Sequence, residues 1–188
     1  MKKNARGFFM GLLVFLTGMA ALPAVNFAEE AAGTYYTKFN IWYEKPEKIM
    51  STNYHKGLII PVGSEVEIRK RNRKEIRFYE KRSGTEFRIK LHDKYTPLDE
   101  AQFFDRYFSK ENVLDSAKYK SFTDMEKENI GAGTLHEGMS KDAVLMAYGY
   151  PPTHRTPSTN GDAWTYWRSR VVYFMIQFKD GKLDRIMG

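Results

Sequence analysis

The feature that most constrains the fold is a change of residue periodicity near residue 96. From residue 34 to residue 95, apolar and polar residues alternate with period two, as Val66 and Ile68 do between charged neighbours. Polar segments around Asn72 and Gly84 interrupt the alternation, which predicts consecutive β-hairpins. The later residues show helical spacing and helix caps as well as strands. The sequence therefore predicts an α+β fold.

The first part is predicted to form a small N-terminal β barrel, because short strands hide their edges when the sheet closes on itself. The stretch YHKGLIIPVGSEVEI, a Pro-x-Gly turn between two apolar strands, resembles bacterial SH3-like modules. Thr96 and Pro97 have the residue types of a helix N-cap and first position, and Phe104 and Phe108 follow at helical spacing. A helix ending near Lys110 therefore closes a predicted SH3-like domain of residues 29–110.

A second unit is predicted from residue 123 to residue 188, after a linker of residues 111–122 with few large apolar side chains. A short helix over residues 124–130 is followed by two glycines. Ser140 then caps a second helix, and Gly149 ends it.

Strands follow these helices. The stretch AWTYW predicts one strand, and VVYFMIQF predicts another, in which Val172, Phe174, Ile176 and Phe178 share a face. Asp180-Gly181 predicts a tight turn into a last strand. The predicted order is helix, helix, strand, strand, strand.

Several short motifs follow one another across this second unit. They are Gly138-Met139-Ser140, Val144, Gly149-Tyr150-Pro151, Trp164-Thr165-Tyr166, and Phe178 followed by Gly181. This set resembles the SmpA/OmlA (BamE-like) family, the small accessory lipoprotein of the outer-membrane β-barrel assembly machinery. The resemblance implies a helix-helix-three-stranded antiparallel sheet and a role in outer-membrane assembly or integrity. The chain differs from the family in lacking a lipidated cysteine and in carrying a β domain in front.

Residues 1–28 are predicted to be a signal peptide. Three cations precede the apolar run FFMGLLVFLTGMAA, which is shorter than the ~20 residues that cross a bilayer. We expect cleavage after Ala24 or Ala28. No cysteine follows the run, so we expect an exported protein of the periplasm, or of the periplasmic face of the outer membrane, without a lipid anchor.

The charge balance indicates the class of partner. Loss of Lys2, Lys3 and Arg6 with the signal peptide lowers the net charge from +7 to +4. In an exported protein, a mildly basic balance favours anionic lipid or cell-wall polymers over nucleic acid. The expected partners are therefore envelope proteins, including β-barrel assembly components, together with such anionic surfaces.

Two surfaces are predicted to contact these partners. Trp167 is expected to point away from the core face of its strand, beside Arg168 and Arg170, and Thr156 lies in the adjoining loop; these four are the candidate protein-binding residues. The candidate lipid-binding residues form a basic run expected at a hairpin tip: Arg69, Lys70, Arg71, Arg73 and Lys74. The alternatives are core packing for the tryptophan and plain solvation for the basic run.

No pattern in the sequence indicates catalysis, a metal or a cofactor. The four histidines lie in separate segments without metal-ligand spacing, and there is no cysteine. We therefore expect a non-catalytic protein, although a hydrolase site assembled only in three dimensions stays open. Two other functions also stay open: a soluble periplasmic binding or inhibitor module, and a cell-wall-binding protein.

Overall fold

The computed structural model describes residues 33–52, 54–92 and 94–188, which form a mixed α+β fold. The predicted signal peptide lies outside the described residues. The strands are β1 (Thr34–Thr37), β2 (Ile41–Tyr43), β3 (Ile49–Met50), β4 (Leu58–Ile60), β5 (Glu65–Asn72), β6 (Glu75–Glu80), β7 (Thr85–Lys90), β8 (Phe108–Ser109), β9 (Ala163–Trp167), β10 (Tyr173–Lys179) and β11 (Lys182–Met187). The helices are α1 (Glu100–Tyr107), α2 (Ala117–Lys120), α3 (Asp124–Ala132) and α4 (Lys141–Tyr148), with a 3₁₀ turn at Val113–Asp115.

A six-stranded sheet with the order β3-β7-β6-β5-β1-β8 forms the first part. Strands β5, β6 and β7 are consecutive antiparallel neighbours, as their alternation predicts. Strand β1 lies between β5 and β8, and β3 runs parallel to β7. The sheet curls into a half-barrel whose edge strands, β3 and β8, do not pair with each other in the described chain. The expected closed barrel is thus an open, curled sheet, and β2 and β4 form a separate two-stranded sheet.

Helix α1 packs on the curled sheet and completes the first core. Its Phe103, Phe104 and Tyr107 are buried, as is Phe108, which follows it. The core residues from the sheets and their connections are Tyr35, Phe39, Ile41, Ile49, Ile60, Val66, Ile68, Ile76, Phe78, Phe87 and Ile89.

The start of α1 lies later than predicted. Asp99 and Gln102 form a capping box, in which each side chain accepts a hydrogen bond from the backbone N–H of the other, at 2.8 and 3.2 Å. Thr96, the predicted N-cap, is buried with its hydroxyl 2.7 Å from that of Ser51. The predicted cap was wrong because this hydroxyl holds a loop instead of a helix.

The segment predicted as a linker, residues 111–122, contacts both parts of the chain. It contains the 3₁₀ turn and α2, and Phe122 is buried in the second core. Leu114 lies so close to the turn before β5 that a Cβ on Gly63 would be 2.6 Å from its Cδ1. Gly63 also has a positive φ of 74°, so glycine is needed there for both reasons.

The predicted caps of α4 are present, whereas α3 extends beyond its predicted end. Ser140 caps α4 with its side chain, and Gly149 ends it. Helix α3 continues to Ala132, beyond the predicted end at residue 130, because Gly131 is accommodated in the helix and Gly133 forms the left-handed cap.

Glu126 joins the starts of the two helices. Its carboxylate accepts hydrogen bonds from the backbone N–H of Thr123 at 3.0 Å and of Ser140 at 2.7 Å. Burial alone raises the pKa of Glu126, but these hydrogen bonds, with Lys182 nearby, lower it to about 2. The ionised carboxylate therefore stabilises the packing of α3 against α4.

The second core lies between these helices and the antiparallel sheet β11-β10-β9. Its sheet residues are Trp164 and Tyr166 of β9, Phe174, Ile176 and Phe178 of β10, and Leu183 of β11. Asp180 and Gly181 have φ angles of 50° and 75°, as the predicted tight turn requires. Val172 precedes β10 and is exposed, so it is not part of the core that Phe174, Ile176 and Phe178 form.

Asn40 links the two parts of the chain at a buried seam. Its side-chain amide donates to the carbonyl of Ile130 at 2.6 Å and to that of Ala147 at 3.0 Å. Its side-chain oxygen accepts from the N–H of Val62 at 2.7 Å. One fully buried side chain therefore forms hydrogen bonds with backbone groups at the ends of α3 and α4 and in the turn before β5.

His55 forms the other half of the seam. Its backbone N–H donates to the carbonyl of Trp167 at 2.9 Å, and its ring Nε2 lies 2.5 Å from the carbonyl of Tyr148. The ring stacks on that of Tyr148 at 3.9 Å. Burial lowers the pKa of His55 to about 4, although both carbonyl contacts oppose this shift. The imidazole is therefore neutral at pH 7.

Candidate interaction surface

Strand β9 holds Trp167 at the boundary between core and solvent. Trp164 and Tyr166 face the core, while Trp167 points away from it and is half-buried, as its alternation predicts. The Trp167 ring lies 5.8 Å from the ring of Tyr173 and 5.7 Å from the Arg155 guanidinium. The indole N–H is buried and has no hydrogen-bond partner among the described residues.

An apolar patch surrounds Trp167. Of the seven exposed large hydrophobic residues in the described chain, six lie in or next to β10 and β11: Val171, Val172, Tyr173, Met175, Ile186 and Met187. We call five of them, all except Ile186, the apolar patch. Ile186 lies opposite the buried Ile176 and therefore on the core face of the sheet. In the register of the sheet, Tyr173 lies opposite Trp167, and Met175 opposite Met187. Val171, in the turn between β9 and β10, is 80% exposed.

Sequence reasoning missed most of this patch. The period-two pattern that places Phe174 and Ile176 in the core also places Tyr173 and Met175 on the opposite face. That signal was present, but an apolar residue on the outer face of a strand is common and does not by itself indicate a site. Only the sheet register shows that Met187 joins them.

Unpaired cations border the apolar patch. Arg168 and Arg170, both predicted partner-binding residues, are exposed at the turn between β9 and β10. The Arg168 guanidinium lies 4.9 Å from the Phe174 ring centroid. In the described part of the chain, neither residue forms an ion pair, nor does Arg155. Because Phe174 faces the core, the Arg168 side chain lies on the side of the sheet away from Trp167. A binding partner with carboxylates could use Arg155 and Arg170 without breaking an existing pair.

Thr156 is buried, which corrects its prediction as an exposed contact residue. Only 6% of its surface is accessible, and its hydroxyl accepts a hydrogen bond from the N–H of Thr165 at 2.9 Å. The free edge of β9 needs such a partner, since an unpaired edge N–H is costly to bury. Thr156 therefore closes an edge strand and cannot present its side chain to a partner.

The basic run predicted at a hairpin tip lies mostly along strand β5. Arg69, Lys70 and Arg71 belong to the strand, and only Arg73 and Lys74 lie at the turn. The predicted location of the run was therefore wrong for three of its five residues, because β5 extends to residue 72.

The three strand cations already have partners. Arg69 and Lys70 each form an ion pair at 2.8 Å, with Glu67 and Glu75. Arg71 pairs with Glu100 and covers the Phe104 ring at 4.0 Å. Lipid binding by this run stays a prediction, but these pairs reduce the charge available to an anionic surface.

Within the described ranges, no group of three or more His, Cys, Asp or Glu side chains is placed to hold a metal ion. None of the helices described is long and apolar enough to span a bilayer.

Comparison with protein-family models, with curated proteins and with solved structures found no match for this chain.

Proposed function

We propose that this is a non-catalytic envelope protein that supports outer-membrane assembly or integrity by docking on other envelope proteins. In this proposal it is exported to the periplasm, or to the periplasmic face of the outer membrane, without a lipid anchor. The observation that carries the proposal is the gathering of exposed apolar residues in the apolar patch.

A gathered patch is a stronger indication than scattered exposed residues. Single exposed hydrophobic residues are normal, whereas a contiguous patch with a polar border marks contact sites in soluble proteins. Trp, Tyr, Met and Arg are the residue types enriched in protein interfaces. Tyr173, Met175 and Met187, with Trp167 and the neighbouring arginines, have this composition. The partner surface should therefore combine apolar side chains with carboxylates.

The envelope assignment is supported by the sequence. The signal-peptide pattern of residues 1–28 indicates export, and the motif order from Gly138 to Gly181 resembles a family of outer-membrane assembly proteins. The partners we propose are accordingly components of the β-barrel assembly machinery.

Site-specific photocrosslinking in intact envelopes tests the proposal. A crosslinking side chain at Val171 is expected to capture assembly components, while one at Lys74, exposed in the turn between β5 and β6, is expected to capture none of them. Identical captures from both positions would show that the apolar patch is not the docking surface. A fully soluble pool after fractionation, without assembly components, would favour a free periplasmic binder.

A further inference from the structure

Five aromatic rings form a continuous row across the surface, from the end of the half-barrel to the three-stranded sheet. We call this row the aromatic strip: His92, Tyr95, His154, Trp167 and Tyr173. Successive ring centroids are 4.6, 4.8, 6.0 and 5.8 Å apart. The rings come from four separate segments of the chain, so only the folded protein brings them together.

Hydrogen bonds hold the strip in place. The Ser51 hydroxyl accepts from the N–H of His92 at 3.0 Å, and the N–H of Tyr95 donates to the His92 carbonyl at 2.9 Å. The rings of Tyr95 and His154 contact each other, and this contact joins the two parts of the chain. Burial lowers the pKa of His154, as does Arg155, so its ring is neutral at pH 7. A ligand would therefore meet rings that the folded backbone holds in position.

Cations lie along this row. The Lys94 ammonium is 5.3 Å from the Tyr95 ring, and the Arg155 guanidinium is 5.7 Å from the Trp167 ring. Arg170 lies beyond Trp167, in the turn after β9. These three cations form no ion pairs within the part of the chain described, unlike the cations of β5.

We propose that the aromatic strip binds an extended anionic glycan. Flat ring faces with polar edges suit the C–H faces and hydroxyl groups of sugars, and the cations suit carboxylates. A purely apolar protein surface would instead suit the neighbouring methionines and valines of the apolar patch. The inference rests on the envelope location of the proposed function, where carboxylated polysaccharides are accessible.

The test is a titration of the purified chain with three probes. Oligogalacturonate supplies both sugar rings and carboxylates, its methyl ester supplies rings without charge, and oligoglutamate supplies carboxylates without rings. Only oligogalacturonate is expected to bind. Both Tyr95→Ala and Arg155→Gln are expected to weaken its binding about tenfold.

A matched pair elsewhere provides the control. Arg69 lies 5.4 Å from the Tyr79 ring, so Tyr79→Ala and Arg69→Gln remove a similar ring and cation outside the strip. These control variants should bind oligogalacturonate as the unmodified chain does, and thermal unfolding checks that all four variants fold.

Three results would overturn the inference. The first is no binding of oligogalacturonate at low salt, and the second is equal binding of oligoglutamate, which would indicate an acidic peptide or charge alone. The third is an equal loss of oligogalacturonate affinity in the control variants. The titration needs no protein partner. A failure of envelope crosslinking would therefore leave a positive titration intact, and a failed titration would leave protein docking intact.

Discussion

Acidification from pH 7.5 to pH 5 is expected to destabilise the protein through His55. Its imidazole is buried in the seam against Tyr148, and its pKa is lowered from the usual 6.5 to about 4, mainly by burial. A group with a lowered pKa binds a proton more weakly in the folded protein than in the unfolded chain. As the pH falls below 6.5, the unfolded chain gains the proton first. Stability is therefore lost between pH 6.5 and about pH 4.

The magnitude follows from the two pKa values. The full difference between 6.5 and about 4 is worth about 3 kcal/mol, since one pKa unit corresponds to about 1.4 kcal/mol. At pH 5, His55 is almost fully protonated in the unfolded chain and only about one-tenth protonated in the folded protein. About 2 kcal/mol of stability is therefore lost between pH 7.5 and pH 5.

Urea unfolding of the unmodified chain and of His55→Gln at pH 7.5, 6 and 5 measures this loss. Glutamine can still donate to the Tyr148 carbonyl, but it does not titrate. The stability gap between the two proteins should narrow by about 2 kcal/mol from pH 7.5 to pH 5. His136→Gln, which changes an exposed histidine, should follow the unmodified chain at every pH. A gap that stays constant with pH would refute the argument, because it would mean that folding does not hold the imidazole neutral.

Four further substitutions test the packing of α3, α4 and the seam by the same unfolding measurement. Gly133→Ala should lower the free energy of unfolding by about 2 kcal/mol or more, since φ is +67° and the new Cβ would lie 2.4 Å from Ile59 Cδ1. Gly131→Ala should raise it by about 0.5 to 1 kcal/mol. Effects of the same sign in the two variants would contradict this. Asn40→Leu should cost at least about 2 kcal/mol, because it removes the side-chain partner of the buried Val62 N–H and of the Ala147 carbonyl, while the Ile130 carbonyl keeps its hydrogen bond from Gly133; a cost under about 1 kcal/mol would contradict this. Because the pKa of Glu126 is lowered to about 2, its ionised carboxylate should stabilise the fold above pH 4.5, and this stabilisation should be lost as the pH falls towards 2. Glu126→Gln should therefore lose less stability than the unmodified chain between pH 4.5 and pH 2, and an equal loss in both proteins would contradict this.

Local signals predicted those parts of the fold that depend on neighbouring residues. Ser140 and Gly149 bound α4, and Asp180-Gly181 forms a turn, because a cap or a tight turn is settled within a few residues. The start of α1 was mispredicted because Thr96 and Asp99 are both suitable caps. Its position is decided by Ser51, which is distant in sequence.

The pairing of strands that are distant in sequence could not be predicted from the sequence. Alternation indicates which residues of β1 or β3 face a core, but it does not say which strand lies beside them. The insertion of β1 between β5 and β8 therefore appears only in the folded chain. For the candidate surface, alternation placed Trp167 correctly, whereas Thr156 was mispredicted because a loop hydroxyl can close a strand edge from a buried position.

The seam and the candidate surface depend on each other through strand β9. Thr156 accepts a hydrogen bond from the N–H of Thr165, and the N–H of His55 donates to the carbonyl of Trp167, so two of the outward-facing backbone groups on this stretch of the β9 edge are already bonded. Strand addition at this edge would have to displace both bonds, so we expect a partner that approaches Trp167 to use side chains and the outer face of the sheet. Because these two contacts also fix the position of Trp167, loosening the seam should weaken docking even though Asn40 and His55 are themselves buried.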